Sequence, residues 1–402
     1  MKRTVVFFLA IIIMISALSS CSPKNSEDRV TTGEATVTQA ETTDYSAVVR
    51  LTAQQAIEQG VVKVHGRYEL LDDGAISCDW AGGGIEFNAD TKGKVYVNIS
   101  CSDTIMNSGG AKNYFSVWVD GERMNRTVRY STDSINVVDG IEVRGKTSVL
   151  LAEDLAEGAH SFKIVRQCNP STGLAQINFI TFKGKFLDKP EDSDFLIEFI
   201  GDSLTAGQGV LGSKNPPYGD YSSRFEDGTL GYAYLAAEKL GADCLLIARP
   251  GIGLLCGSDK DNSVQMSKIY GRQCFWRSKT AEYTVKRTPD LIVYNLGTND
   301  NSQGADPDEY GETLTAFLKE VSGFYGSDIP ILVLLNKDIR AKFYGPTEKA
   351  IAGLENVTLT DYIRHKNGYS NHPNREDAVT EAQKLVGQIR EFYPELCGKG
   401  NG

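Results

Sequence analysis

Ser203 is the residue from which the chemistry can be read. It stands in Phe199-Ile200-Gly201-Asp202-Ser203-Leu204-Thr205-Ala206-Gly207, where an apolar stretch runs into a turn of small residues. A serine hydroxyl delivered at a strand end attacks a carbonyl once a base takes its proton. The turn is not the Gly-x-Ser-x-Gly elbow of α/β-hydrolases, because Thr205 occupies the second glycine position. The base must be a histidine, and downstream of Ser203 the chain offers His365 and His372. His372 opens His372-Pro373-Asn374 just before a helical pattern, and an imidazole at such a junction can face the serine across the top of a sheet. His365 follows a short strand pattern and is the second candidate. Two more turns follow apolar strands: Arg249-Pro250-Gly251-Ile252-Gly253 and Asn295-Leu296-Gly297-Thr298-Asn299-Asp300. Gly251 suits close approach of a backbone N–H to a ligand, since no Cβ stands in the way. Gly253 reads more readily as a loop glycine with positive φ. The Gly-Thr-Asn tripeptide alone also reads as a plain turn.

These turns need a frame. From residue 195 onward, strand patterns at 195–200, 244–248, 291–296 and 329–335 alternate with helical patterns at 230–240, 308–325 and 375–393. The first strand is apolar except for Glu198. Such alternation predicts a parallel sheet covered on both faces, a three-layer α/β domain whose ligands sit beyond the carboxyl ends of the strands. Asn374 with Asp377 three residues on reads as the N-cap of the last helix. Residues 59–190 show short alternating stretches, with turns at Gly82-Gly83-Gly84, Asp120-Gly121 and Glu157-Gly158. They predict a β-sandwich. His65 and His160 lie there outside any cluster and read as structural. A polar hinge at 189–194 leads into the second domain, expected over 191–397.

The turn around Gly201-Asp202-Ser203-Leu204, the Gly-Thr-Asn-Asp block at 297–300 and His372-Pro373, in this chain order, resemble the motifs of GDSL/SGNH hydrolases over residues 195–395. With the β-rich region in front, the chain is similar to carbohydrate esterase family 2. That family pairs a jelly-roll with an SGNH domain and removes acetyl groups from plant polysaccharides such as xylan and glucomannan. The resemblance implies Ser203 as nucleophile and His372 as base. It implies an oxyanion hole of the Ser203 and Gly251 N–H groups and the Asn299 amide. One such donor contributes roughly 3–4 kcal/mol in an acyl-transfer transition state. No cofactor or metal is implied. Trp276, in Cys274-Phe275-Trp276-Arg277, and Asp202 are candidate substrate contacts; Trp276 reads equally as a core residue. The sequence departs from the pattern at one point. Many SGNH enzymes carry an Asp two or three residues before the His, where this chain has Ser370 and Tyr369. Either a backbone carbonyl holds the ring, or a distant acid (Asp300, Glu376 or Asp377) does so.

The ends and the charge complete the picture. Lys2-Arg3, an apolar run and Leu18-Ser19-Ser20-Cys21 resemble a bacterial lipoprotein signal, with Cys21 as the lipidated residue and 22–58 as a flexible tether. Export and a membrane anchor are therefore expected. A net charge of −10 without basic tracts excludes nucleic acid as a main partner. The other cysteines read mostly as buried free thiols, with Cys256–Cys274 as the one conceivable pair. The expected partner is an acetylated polysaccharide acted on by a monomer. Two alternatives stay open: an esterase for lipids or envelope glycans, and a carbohydrate-binding lipoprotein with a remnant hydrolase domain.

Overall fold

The computed structural model describes residues 43–398 apart from 103–111, 125–127, 132–133, 137–139, 215–222, 258–263, 276–281 and 327–328. The expected lipidation site Cys21 and the stacking residue Trp276 lie outside the described residues.

Five strands form a parallel sheet: Leu196–Gly201, Asp243–Ala248, Leu291–Asn295, Ile331–Asn336 and Val357–Tyr362. The first strand lies between the second, which forms one edge, and the third, which is central; the fourth and fifth follow outward. Alternate side chains along each strand face opposite layers. Ile200, Ile247, Ile292, Tyr294 and Val333 pack with Leu314, Phe317 and Val321 of helix Pro307–Tyr325 and with Phe343 of helix Arg340–Ile351. Ile197, Phe199, Leu246, Val293 and Leu334 pack the other way, on helices Tyr232–Lys239 and Arg375–Phe392. Both faces are thus covered, which is why these strands read as near-continuous apolar runs. The Asn374–Asp377 capping box starts the last helix as expected.

In front of it lies a ten-stranded antiparallel sheet built on three long strands, Gly84–Cys101, Gly145–Arg166 and Ala175–Phe186. Register shifts around Ala152, Leu155 and Gly184 interrupt their ladders; such irregularities bend a sheet. The expected tether over 22–58 extends too far: Val48–Thr52 pairs with Ala175–Phe186, and helix Ala53–Glu58 buries Ala53 and Ala56 in the core. The physical reason is a Thr52–Gln55 capping box and the inward alternation of Val49 and Leu51, which give this segment a local start and an apolar face.

The two sheets belong to one compact unit. The buried acid that interrupts the first parallel strand explains part of the join. Glu198 pairs with Arg67 from the antiparallel half at 3.0 Å, and neither side chain is exposed. Arg67 also lies against the Tyr283 ring at 4.0 Å and donates to the Tyr270 carbonyl. The polar segment 189–194 is pinned rather than hinge-like: Lys63 donates to the Glu191 carbonyl at 2.9 Å, and Ser193 N–H to Asp243 at 2.9 Å. The seven cysteines among the described residues form no disulfide, so Cys256 and Cys274 do not pair.

Candidate active site

The three turns meet above the carboxyl ends of the parallel strands. After Gly201 the chain turns tightly: a Cβ there would stand 2.0 Å from the Thr205 hydroxyl, so the position admits only glycine. The turn places Ser203 Oγ 2.8 Å from His372 Nε2. The opposite ring nitrogen, Nδ1, lies 3.0 Å from the Ser370 carbonyl and 3.3 Å from that of Tyr369. A carbonyl can only accept, so Nδ1 carries the proton and Nε2 presents its lone pair to the serine. Among the described residues no carboxylate bonds this ring. His365 is engaged elsewhere, 3.0 Å from Glu381. His65 and His160 each bond a carboxylate at 2.8 Å, as structural histidines do.

Two of the three acids weighed as substitutes have other duties. Asp377 accepts from Asn367 and caps the last helix at Asn374. Asp300 is buried and accepts three backbone N–H groups, from Leu254 (3.0 Å), Leu255 (2.7 Å) and Cys256 (3.1 Å). It thereby organises the loop that follows Gly251. The glycine assignments in that loop reverse: Gly251 has the positive φ, 77°. Gly253 does not, and is glycine because a Cβ would stand 2.1 Å from the Cys256 carbonyl and 2.7 Å from the Asp300 carboxylate.

The N–H groups of Ser203 and Gly251 have no acceptor among the described residues. Asn299 bridges the turns: its amide donates to the Ile252 carbonyl at 2.8 Å and makes a long contact, 3.4 Å, with Asp202. Asp202, expected to touch substrate, is instead 1% exposed and accepts from Leu204 N–H at 2.9 Å. The side chain folds back to cap its own turn. Burial pushes its carboxyl up to about 7. Burial and, second, the Arg364 charge lower the His372 imidazole to about 4.

Residues missed from the sequence hold the serine and histidine turns together. Gly209 has φ 83°, and a Cβ on it would stand 2.6 Å from the Tyr369 carbonyl and 2.8 Å from His372 Cβ. Gly212 packs on Tyr369, whose ring stacks on Phe225 at 4.7 Å. The signal was present as Gly207-Gln208-Gly209-Val210-Leu211-Gly212, a density of glycines that marks close backbone approach.

A parallel sheet with helices on both faces, a serine at the end of its first strand and a hydrogen-bonded histidine before the last helix define an SGNH-type hydrolase. Residues 197–399 match the model of the GDSL-like lipase/acylhydrolase family. The chain belongs to that family. It is similar to the cellulase/esterase CelE of Acetivibrio thermocellus, 28% identical over 264 residues, which cover 65% of this chain but 29% of that protein. It is also similar to the acetylxylan esterase/glucomannan deacetylase of Cellvibrio japonicus, 24% identical over 58% of this chain and 68% of that one. In fold it matches the structure of a family two carbohydrate esterase from Cellvibrio japonicus, with a TM-score of 0.73 at 20% identity, covering 88% of this chain and 98% of that one.

Proposed function

We propose that this protein is a serine esterase that removes O-acetyl groups from plant cell-wall polysaccharides of the acetylxylan or acetylglucomannan kind. The observation that carries the reading is the 2.8 Å Ser203–His372 hydrogen bond, with the imidazole tautomer fixed by the Ser370 carbonyl. In the reaction His372 takes the Ser203 proton as Oγ bonds to the acetyl carbonyl carbon. The free N–H groups of Ser203 and Gly251 receive the oxyanion, together with the Asn299 N–H held only by its long contact to Asp202. Collapse expels the sugar oxygen, which leaves with the proton from His372. Water, deprotonated by the same histidine, then attacks the acetyl-enzyme, releases acetate and restores Ser203.

The antiparallel half, 59–190 with 48–58 added, reads as a jelly-roll companion of a hydrolase domain over 191–397. Trp276 is the candidate sugar-stacking residue. Export, with lipid on Cys21, puts the enzyme on the membrane surface where extracellular glycan is met. The experiment is acetate release from a panel of acetylated polysaccharides by the wild-type protein and Ser203→Ala. We expect release from acetylxylan or acetylglucomannan that Ser203→Ala abolishes. Release by a folded Ser203→Ala protein at the wild-type rate would sink the reading.

A further inference from the structure

The turn that carries His372 is held in an unfavourable shape. Ser370 (φ 53°) and Asn371 (φ 58°) are both left-handed, which costs a non-glycine residue about 1–2 kcal/mol, less for Asn. Such a conformation persists only where its surroundings over-determine it. Gly209 and Gly212 buttress the turn at Tyr369. The other tie comes from Arg364, just beyond strand Val357–Tyr362: its Nη2 donates to the Asn371 carbonyl at 2.6 Å. Unlike Arg67, which is paired with Glu198, Arg364 has no carboxylate partner among the described residues, and its buried Nε has no acceptor.

We propose that Arg364 is a positioning residue for His372: it anchors the strained turn whose carbonyl holds the imidazole, and it sets an unneutralised positive charge beside the ring. The inference rests on the Ser203–His372 reading. The ring bonds Ser203 from the nucleophile turn and the Tyr369 and Ser370 carbonyls, and it feels the charge of Arg364, which is tied to the neighbouring Asn371 carbonyl. Arg375, three residues on, lies in the fields of Arg123 and Glu376. Asp202, beside Ser203, is itself in the field of Arg364. An orienting carboxylate would favour the imidazolium; a cation opposes it. Arg364 therefore adds to burial in keeping the base unprotonated in mildly acidic medium, and sacrifices some of the drive to form the imidazolium during attack.

The test compares Arg364→Met, which removes donor and charge, with Arg364→Lys, which keeps the charge. Two readouts are used: the pH profile of kcat/KM on p-nitrophenyl acetate, and the His372 ring-proton NMR titration. Arg364→Met should move both midpoints up by about half a unit or more. Arg364→Lys should leave them close to wild type while lowering kcat several-fold, because the shorter side chain and its ammonium do not reproduce the 2.6 Å Nη2 bond to the Asn371 carbonyl. Midpoints unmoved in a folded Arg364→Met protein would overturn the proposal. If that variant does not fold, Arg364→Gln, which keeps a donor and loses the charge, decides by the same midpoints. The NMR titration needs no turnover, so it judges Arg364 even if Ser203→Ala shows the esterase reading to be wrong.

Discussion

Gly209→Ala should disable the site without touching a reacting group. The added Cβ would stand 2.6 Å from the Tyr369 carbonyl and 2.8 Å from His372 Cβ, against 3.4 Å or more in ordinary contact. Both neighbours belong to the one turn that carries the base, so that turn must retreat by about 0.6–0.8 Å, the overlap with van der Waals contact distance. If the retreat is along the line to Ser203, the 2.8 Å hydrogen bond opens to where it no longer transfers a proton efficiently. A misplacement near 1 Å costs about 10²-fold in rate. At φ 83° the alanine itself adds roughly 1–2 kcal/mol of backbone strain, enough to lower Tm by a few degrees. We expect kcat on p-nitrophenyl acetate to fall about 10²-fold, with KM changing less than about threefold. Steady-state kinetics beside a thermal melt separates the effects. A Gly209→Ala enzyme with wild-type kcat would refute the claim that this glycine sets the serine–histidine distance.

Asn299→Ala should lower kcat about 10²–10³-fold with little change in KM, as loss of an oxyanion donor does; a pure KM effect would assign Asn299 to substrate positioning. Arg67→Met leaves the Glu198 carboxylate buried without its cation, and should destabilise the protein by about 3–5 kcal/mol in denaturant titration. Equal stability would mean the pair does not join the two halves. Because the His372 imidazole is lowered to about 4 and only its neutral form accepts the serine proton, kcat/KM should stay high as pH falls through 6 and drop near pH 4. An acid limb at the ordinary histidine position, near 6.5, would contradict the burial and charge that surround the ring.

Much of this was legible because parallel strands buried on both faces advertise themselves. Ile197, Phe199 and Ile200 are apolar regardless of which layer they face, so strand and following turn stand out together. What escaped depends on contacts between distant segments. Glu198 looked like an interruption because its partner, Arg67, lies 131 residues away in sequence. Asp300 looked like a neighbour of the oxyanion amide, or a spare acid for the histidine. Only the fold brings the N–H groups of Leu254, Leu255 and Cys256 onto it. Gly251 and Gly253 are alike in sequence, and their duties were exchanged because positive φ and lack of room leave the same residue type behind. Asp202 was expected to touch substrate, and a backbone turn two residues long is enough to hide it.

The absent triad acid is better understood as two duties than as one missing residue. The first is geometric: the ring must be oriented, with its proton on the nitrogen away from the serine. The Ser370 carbonyl does this at 3.0 Å, and it forces the tautomer as firmly as a carboxylate, since it has no proton to give. The second is electrostatic: stabilising the imidazolium that forms during attack. A neutral carbonyl contributes less there, and Arg364 acts against it. In the proposed mechanism catalysis then leans on the oxyanion side, assigned to the turn N–H groups of Ser203 and Gly251 and the Asn299 amide. Such donors are held ready by the fold and need no reorganisation when charge develops. The loop geometry matches that division of labour. Asp300 takes up three N–H groups of residues 254–256 and leaves the Gly251 N–H without an acceptor among the described residues.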